Sequence, residues 1–481
     1  MEFAGRDNDL ARLAQQWQQV ANGRGRAIIV TGRRRVGKSR LVQEFVDRTD
    51  APSLVFQATQ GRSPVAEMAD LLAAVSQSTL PGRDLVTGLT PNDWTQTLRL
   101  LAACTPDDIA SIVVLDEVPW LMQQADDFEG ALQTVWDRHL AAKPVLLLLI
   151  GSDASIMASL QDEKRAFFGR AATMRVDPLT VSDVQDACGL APADAIDAWL
   201  VTGGFPEIVA SWQKSLPVAG FLAESLANPL SPLLVSGQLT LLGEFPQATL
   251  SRAVLEAIGS GERTFSAIAK AVNREETLAS GTLSPILKAL EKQSIVASEL
   301  PLSTSPDTRN RRYRIADPYL RFWLAFGPAI IQLAERGRPA VALDYLQQGW
   351  SSWRGRAVEP FVRASLERLL PNQEFPHAMY VGGWWNRQNN PEIDLIAADK
   401  TPVAERVSFI GSIKWRENQP FDRRDYFQLS QAALAVPGAT PETPLVAVVR
   451  QDLASDMPPI THFGPADLVN AWRPVVLGSA A

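Results

Sequence analysis

Residues 27–45 read AIIVTGRRRVGKSRLVQEF, and this stretch decides the fold of the N-terminal third. A short strand pattern is followed by a loop that matches G-x-x-x-x-G-K-[ST], and a helical pattern follows at once. The loop residues are Gly32, Arg33, Arg34, Arg35, Val36, Gly37, Lys38 and Ser39. The glycines let backbone N–H groups point at phosphate oxygens, and the helix N-terminus adds positive potential. The stretch therefore predicts a site for nucleotide phosphates.

The residues that close the loop have separate predicted tasks. Lys38 would reach the β- and γ-phosphates, and the hydroxyl of Ser39 would ligate Mg²⁺. Arg40 completes the segment that we assign to cofactor binding. The alternative is a chance glycine-rich loop, but the strand before it and the helix after it are the context that the motif requires.

A second motif supplies the carboxylates. In SIVVLDEVPWLM, residues 111–122, an apolar strand ends in Asp116 and Glu117. Asp116 would hold Mg²⁺ through water, and Glu117 would orient and polarise the attacking water. Phosphoryl transfer depends mostly on positioning and charge stabilisation, so this pair would decide hydrolysis. The alternative is a strand that ends in two solvated acids.

Two further polar residues follow along the chain. Ser152 comes directly after the buried strand VLLLLI, where it could contact the γ-phosphate or the water. Arg170, in FFGR, could stabilise transition-state charge, either on its own nucleotide or on that of a neighbouring subunit; the alternative is a surface arginine. Strand patterns near 27–31, 53–57, 111–115, 145–150 and 172–176 alternate with helices. They predict a three-layer, mostly parallel α/β sheet.

Composition argues against several classes of site and of partner. The 481 residues carry a net charge of −7, which argues against bulk attraction to nucleic acid. Two cysteines and three histidines are too few for a disulfide framework or a zinc site. No apolar run has the length of a membrane span, and the N-terminus lacks the pattern of a secretory signal. We therefore expect a cytoplasmic protein that does not engage a membrane.

The order of motifs adds a resemblance. FAGRDNDLARL (residues 3–13), the phosphate loop, LDE, GSD, FFGR and VTGGFPEIV resemble, in this order, archaeal-type AAA+ ATPases of the STAND group. The resemblance implies that Gly5 and Arg6 lie near the adenine end of the nucleotide. It also implies that Gly203, Gly204 and Pro206 form a turn in a helical lid. ATP binding, slow hydrolysis and coupling to homo-oligomer assembly or to a protein partner are further implications.

The middle of the chain reads as two helical regions. Short helix patterns broken by glycine and proline fill residues 180–240, as expected of a lid. Residues 241–325 contain three amphipathic helix patterns and then two strand patterns, which predicts a winged helix. The tip of the wing carries Arg309, Arg311, Arg312 and Arg314. These arginines could contact DNA phosphates, or the winged helix could be a protein-interaction or autoinhibitory module.

Residues 326–481 change character and read as an α/β domain. A helix carries Glu359, a strand carries Glu392 and Asp394, and the next strand ends in GSIK with Ser412 and Lys414. The pattern resembles a restriction-endonuclease-like core, and the C-terminal domain of unknown function in the same ATPase family. Carboxylates in such a core hold Mg²⁺ beside the scissile phosphate, and the lysine orients the water.

The position two before the lysine should be acidic, but it is Ser412, and three interpretations follow. The domain is a catalytically inactive nuclease fold that docks DNA or protein. Alternatively, it cleaves DNA with a displaced acid, Asp425, on the following helix. Glu392, on the same strand face as Asp394, would then be a further acid near the metal. In the third interpretation Asp394 and Lys414 are merely structural.

These observations predict four regions: an ATPase core at 1–179, a lid at 180–240, a winged helix at 241–325 and a nuclease-like domain at 326–481. We expect a switch protein that binds and hydrolyses ATP with Mg²⁺. Its nucleotide state would control contact with DNA or a protein through the last two regions. The alternatives are an ATP-regulated, metal-dependent nuclease and a non-enzymatic, ATP-bound signalling scaffold.

Overall fold

The computed structural model describes residues 3, 5–21, 23–244, 249–261, 263–272, 279–307 and 309–474. The chain divides into two compact units, Met1–Pro178 and Leu179–Ala481. The regions predicted as lid, winged helix and nuclease-like domain all fall within the second unit.

The first unit is built on one parallel sheet. Its strands are β1 (Arg26–Thr31), β2 (Ser53–Gln57), β3 (Ser111–Asp116), β4 (Val145–Ile150) and β5 (Ala171–Arg175). The order across the sheet is β2-β3-β4-β1-β5, and every neighbouring pair is parallel. All residues of β3 and β4 are buried, as expected of central strands covered on both faces. The predicted three-layer α/β fold is confirmed.

Seven α-helices accompany this sheet in the described part of the first unit. They are α1 (Asp7–Val20), α2 (Lys38–Thr49), α3 (Pro64–Gln77), α4 (Trp94–Cys104), α5 (Val118–Gln124), α6 (Phe128–Val135) and α7 (Ala154–Ser159). Because β1, β3 and β4 are adjacent and parallel, the loops that follow them emerge at one edge of the sheet. These loops carry the phosphate motif, the two acids and Ser152.

The second unit begins with helices. They are α8 (Val181–Cys188), α9 (Pro192–Thr202), α10 (Pro206–Ala210), α11 (Val218–Ala227), α12 (Pro232–Glu244), α13 (Thr249–Gly259), α14 (Phe265–Val272) and α15 (Ser280–Lys292). The antiparallel strands β6 (Val296–Glu299) and β7 (Arg312–Ile315) follow, and then the long helices α16 (Pro318–Glu335) and α17 (Pro339–Leu369). Three helices before a two-stranded sheet is the order that the sequence predicted for residues 241–325.

The turn between α9 and α10 requires its glycines. Gly203 and Gly204 have φ angles of 59° and 69°, in the left-handed region. A Cβ on Gly204 would lie 2.0 Å from the carbonyl oxygen of Leu179, and one on Gly203 would lie 2.6 Å from Cβ of Tyr319. Close backbone packing therefore explains the Gly-Gly-x-Pro motif that supported the family resemblance.

A mixed sheet forms the C-terminal part. Its strands are β8 (Tyr380–Trp385), β9 (Glu392–Ala398), β10 (Val407–Lys414), β11 (Leu445–Val449) and β12 (Thr461–Phe463), in the order β12-β11-β10-β9-β8. The β8–β9 and β9–β10 pairs are antiparallel, whereas β10–β11 and β11–β12 are parallel. Two helices complete it, α18 (Arg423–Ala433) and α19 (Pro465–Asn470).

Alternate residues of this sheet pack in two clusters. Phe409 on β10 packs with Phe361 and Val362 of α17, whereas Ile410 packs with Leu429 and other residues of α18. Neighbouring strand residues point to opposite faces, so each helix covers one face of the sheet. The α/β C-terminal domain is confirmed, and β12 and α19 extend it beyond the elements that the sequence indicated.

No single helix among the described residues is long and apolar enough to span a membrane. One bent pair, Val218–Ala227 with Pro232–Leu242, passes that test only when its two helices are taken together across a 72° bend.

Candidate functional site

The phosphate loop is shaped to receive an anion. Gly32 has a φ of 153°, and a Cβ there would lie 2.3 Å from the carbonyl oxygen of Val176. Gly37, with a φ of 85°, precedes α2, whose N-terminus has neither a side-chain cap nor an acidic residue in its first turn. The N–H groups at this helix start therefore lack the side-chain acceptor that usually satisfies them, which fits a bound phosphate.

Lys38 is held by the loop itself. Its Nζ donates 2.9 Å hydrogen bonds to the carbonyl oxygens of Gly32 and Arg33. Burial lowers the pKa of the Lys38 ammonium to about 8, although the nearby carboxylates of Glu117 and Asp116 act to raise it. The Lys38 ammonium thus lies close enough to the carboxylates of Asp116 and Glu117 for their negative charge to act on it.

The acids lie at the end of β3. Asp116 is buried, and its Oδ1 accepts a 2.8 Å hydrogen bond from the backbone N–H of Glu117. Glu117 has a φ of 55° and occupies the N-cap position of α5, where its side chain makes no capping hydrogen bond. The hydroxyl of Ser152, beyond the neighbouring strand β4, donates to Glu117 Oε1 at 3.5 Å. Burial and then the Asp116 carboxylate raise the pKa of Glu117.

The other loop residues are placed less specifically. Arg34 and Arg35 are exposed, Val36 is buried, and Ser39 is exposed at the start of α2. Arg40 is exposed as well and pairs with Glu44 one turn along α2, at 3.4 Å. Its side chain therefore belongs to the helix surface rather than to the group around Lys38.

Arg170 has partners in its own unit. Its Nε and Nη2 donate to the two carboxylate oxygens of Asp137, each at 2.8 Å, and its Nη1 donates to the carbonyl oxygens of Ala166 and Phe168. The hydrogen bond from Arg170 lowers the pKa of Asp137. A catalytic role for Arg170 stays a prediction, and it would require this ion pair to open.

Sequence reasoning missed the contacts of Arg6. This arginine is 7% exposed and has a left-handed φ of 73°. Its Nη2 donates to the Val36 carbonyl oxygen at 2.5 Å, and its Nη1 donates to the carbonyl oxygen of Asp177 and, at 3.0 Å, to Asp9 Oδ2. The guanidinium thus joins the phosphate loop to the segment after β5. The motif marked Arg6 as special, but the pattern carried no sign of these carbonyl partners.

The nuclease-like motif does assemble in part. Asp394 on β9 and Ser412 on β10 are adjacent: the Ser412 hydroxyl donates to Asp394 Oδ2 at 3.0 Å, and so does the backbone N–H of Ile413 at 2.8 Å. A serine in this position orients the aspartate but adds no charge for a metal.

The displaced acid is engaged elsewhere. Asp425 accepts hydrogen bonds of 2.9 and 2.8 Å from Arg416 and lies 3.6 Å from Lys414 Nζ. Glu392 is paired with Arg312, and Glu359 lies 3.5 Å from Arg363. No group of three or more metal-ligating His, Cys, Asp or Glu side chains is formed in the described parts of the chain.

The second metal site predicted from Asp394 and Asp425 stays a prediction, and it would require the ion pairs of Asp425 to open. Cations already pair with Asp425, so little net negative charge remains there to attract a metal ion.

The wing arginines are also largely occupied. Arg312 contacts Glu392 and lies over the Trp385 ring, with Cζ 4.1 Å from its centroid. Arg314 pairs with Glu299 at 2.5 Å. Arg311 donates to Ser298, and only it and Arg309 are exposed. The four arginines thus do not form a free strip, because acids of the same unit neutralise two of them, and their contact with DNA stays a prediction.

Comparisons with known proteins match two separate segments of the chain. Residues 2–150 match the family model described as AAA ATPase domain, and residues 323–426 match a model described as archaeal and bacterial proteins of unknown function. An uncharacterized protein of Methanocaldococcus jannaschii is 21% identical over 430 residues, which are 89% of this chain and 90% of that protein.

Two solved structures are similar over about two thirds of the chain. The Walker-type ATPase of Pyrococcus abyssi is 17% identical, with a TM-score of 0.48, and the match covers 67% of this chain and 96% of that one. The ORC2 protein of Aeropyrum pernix, in complexes with ADPNP and ADP, is 12% identical, with a TM-score of 0.45 and coverage of 70% and 96%.

Proposed function

We propose that this chain, which carries an AAA ATPase domain and a C-terminal domain of a family of unknown function, is a switch that binds and hydrolyses ATP. The observation that carries the proposal is the grouping of Lys38, at the start of α2, with Asp116, Glu117 and Ser152 at the ends of the adjacent strands β3 and β4. Each is of the type and at the place that phosphoryl transfer needs.

The residues divide the task. The N–H groups at the start of α2 and the Lys38 ammonium hold the phosphates. Mg²⁺, held by Ser39 and Asp116, would neutralise charge that develops on them. Glu117 orients the attacking water, and Ser152 keeps the Glu117 carboxylate in position. The raised pKa of Glu117 makes it a better proton acceptor than an exposed carboxylate.

A conformational change in the phosphate loop would be transmitted to the end of the first unit through Arg6. Its guanidinium binds the carbonyl oxygens of Val36, in the phosphate loop, and of Asp177. The second unit begins at Leu179, two residues later. A change in loop conformation on hydrolysis would therefore reach the connection to the winged-helix and nuclease-like regions, which would contact a protein or DNA.

The test separates binding from hydrolysis. We expect Lys38→Ala to lose ATP binding, measured by fluorescence anisotropy of a labelled analogue. Glu117→Gln should keep the affinity within a few-fold but lower phosphate release by roughly 100-fold or more. Glu44→Gln, on the outer surface of α2, is the matched control. Unchanged turnover in Glu117→Gln would exclude its assigned role, and binding without any hydrolysis by the wild type would favour the scaffold alternative.

We do not propose DNA cleavage. The carboxylates of Glu392 and Asp425 are paired with arginines. The Asp394 carboxylate is held by the Ser412 hydroxyl and the Ile413 N–H, and Ser412 contributes no charge. Contact with a protein is favoured over contact with DNA, because Arg312 and Arg314 are already paired with acids. Light scattering with ATP or ADP, with and without duplex DNA, distinguishes assembly from DNA binding.

A further inference from the structure

A largely buried arginine contacts Glu299, Glu359 and the backbone of Asp394. Arg363, on α17, has a side chain only 11% exposed. Its Nη1 donates to Glu299 Oε2 at 2.7 Å, its Nε donates to the backbone carbonyl oxygen of Asp394 at 3.0 Å, and its Nη2 lies 3.5 Å from Glu359 Oε2. The guanidinium thus touches α17, β9 and the wing strand β6 together.

The fold provides room for this guanidinium. On β8, a Cβ at Gly383 would lie 2.6 Å from Nη2 of Arg363. Any larger residue at 383 would therefore collide with the arginine. A glycine that opens space in a strand marks a place where another group approaches closely. Here the approaching group is the cation of the same unit.

The acidic partners are matched by cations in turn. Burial would raise the pKa of Glu299, but Arg363 and Arg314 lower it to about 2. On the other wing strand, Arg312 binds Glu392 at 2.5 Å, and Arg263 lies 3.7 Å from the same carboxylate. Two arginine–glutamate contacts therefore join the wing to the rest of the unit. Glu299 of β6 pairs with Arg363 of α17, and Arg312 of β7 pairs with Glu392 of β9.

We propose that Arg363 is the resident cation of the carboxylates of Glu299 and Glu359, that its presence disfavours a divalent metal beside Glu359, and that it fastens the wing β6–β7 to α17 and β9. The proposal goes beyond the ATP switch and does not depend on it. It assigns the wing two internal partners, Arg363 of α17 and Glu392 of β9.

The physical argument is competition. A divalent metal binds carboxylate oxygens that are not already neutralised. Metal binding at this place would therefore cost the free energy of displacing any cation that holds the carboxylates. A tethered guanidinium is present at a high effective concentration that no free ion matches. Removal of Arg363 would leave Glu299 with Arg314 alone and Glu359 without its ion-pair partner, so the wing should loosen.

The first test measures metal binding. Nucleotide is left out, so that no metal–nucleotide complex binds at the phosphate loop and contributes to the signal. Mn²⁺ is titrated into the full chain and followed by electron paramagnetic resonance. We expect the wild type, Asp394→Asn and Glu359→Gln to bind the same number of Mn²⁺ ions with the same affinity. One equivalent that is present in the wild type and lost in both variants would overturn the proposal.

The second test removes the cation. We expect Arg363→Gln to lower the melting temperature by roughly 3–10 °C and to accelerate hydrogen exchange at the amides of β6 and β7. Arg356→Gln, an exposed neighbour on α17, is the control and should change neither. Unchanged exchange in β6–β7 would show that Arg363 does not hold the wing.

If Arg363→Gln fails to fold, Arg363→Lys and Glu299→Gln keep the proposal testable. In a double-mutant cycle, Glu299→Gln should cost less in the Arg363→Lys background than in the wild type, because the two side chains share one interaction. Additive effects on the melting temperature would contradict a direct link between the wing and α17.

Discussion

The hydroxyl of Ser412 donates a 3.0 Å hydrogen bond to Oδ2 of Asp394, across the β9–β10 pair of the C-terminal sheet. The sequence pattern predicted two metal-binding carboxylates at these two positions. The serine keeps the aspartate oriented but turns a shared metal site into an ordinary hydrogen bond. Lys414, two residues further on, lies beside Asp425 instead.

This relationship predicts an inactive nuclease. We expect no Mg²⁺- or Mn²⁺-dependent nicking of supercoiled plasmid by the wild type above the level of Asp394→Asn. Ser412→Ala should lower the free energy of unfolding in urea by about 1.5–3 kcal/mol, because it removes one hydrogen bond to a carboxylate. Ser351→Ala, at an exposed position of α17, is the control. Cutting that depends on Asp394 would contradict the prediction.

A second prediction concerns protons taken up with ATP. Lys38 has a pKa of about 8 in the free protein, and a bound phosphate should raise it, because the opposite charge favours the ammonium. Binding above pH 8 must then take up a proton, and the affinity should fall with rising pH by up to about tenfold per unit.

Calorimetry in buffers of different ionisation enthalpy at pH 8.5 measures this uptake. Arg48→Gln, an exposed cation of the same helix, should leave it unchanged. Zero proton uptake at this pH would mean that Lys38 does not meet the phosphates.

A third prediction addresses Arg6. Replacement by methionine keeps much of the volume but removes the donors to Val36 and Asp177, so the buried contact at the Val36 carbonyl oxygen and the part-buried one at Asp177 are both lost. We expect a loss of stability of about 2–4 kcal/mol and weaker ATP binding. Arg12→Met, whose side chain is 66% exposed on the same helix, should be close to wild type in both. Equal effects of the two substitutions would remove the assigned role of Arg6.

A fourth prediction follows from Glu299. Its folded pKa of about 2 lies below the ordinary value of 4.5, so the stability that it contributes is complete above pH 4.5 and is lost as the pH falls toward 2. Unfolding by urea across this range should show a steeper acid decline in the wild type than in Glu299→Gln, by about 3 kcal/mol at most. Glu335→Gln, at an exposed end of α16, should follow the wild type. Parallel curves for all three proteins would contradict the pairing of Glu299 with Arg363 and Arg314.

Local patterns predicted the first unit well because its signals are short-range. The phosphate loop and the strand that ends in Asp116 and Glu117 are each contiguous, and parallel strands of this kind bring their ends to one edge of the sheet. The wing was predicted less well. Arg312 and Glu392 are 80 residues apart in the chain, and no local pattern shows that one neutralises the other.

The amino-acid sequence by itself determined the α/β class, the phosphate loop and the identity of the acids that follow it, because strand, loop and helix periodicities are encoded residue by residue. Only the tertiary structure decided which charges meet. It pairs Arg6 with the carbonyl oxygens of the phosphate loop and the inter-unit connection, and Arg363 with the carboxylates of the nuclease-like domain. Electrostatic neutralisation depends on distances of a few ångströms between side chains, and the fold alone sets those distances.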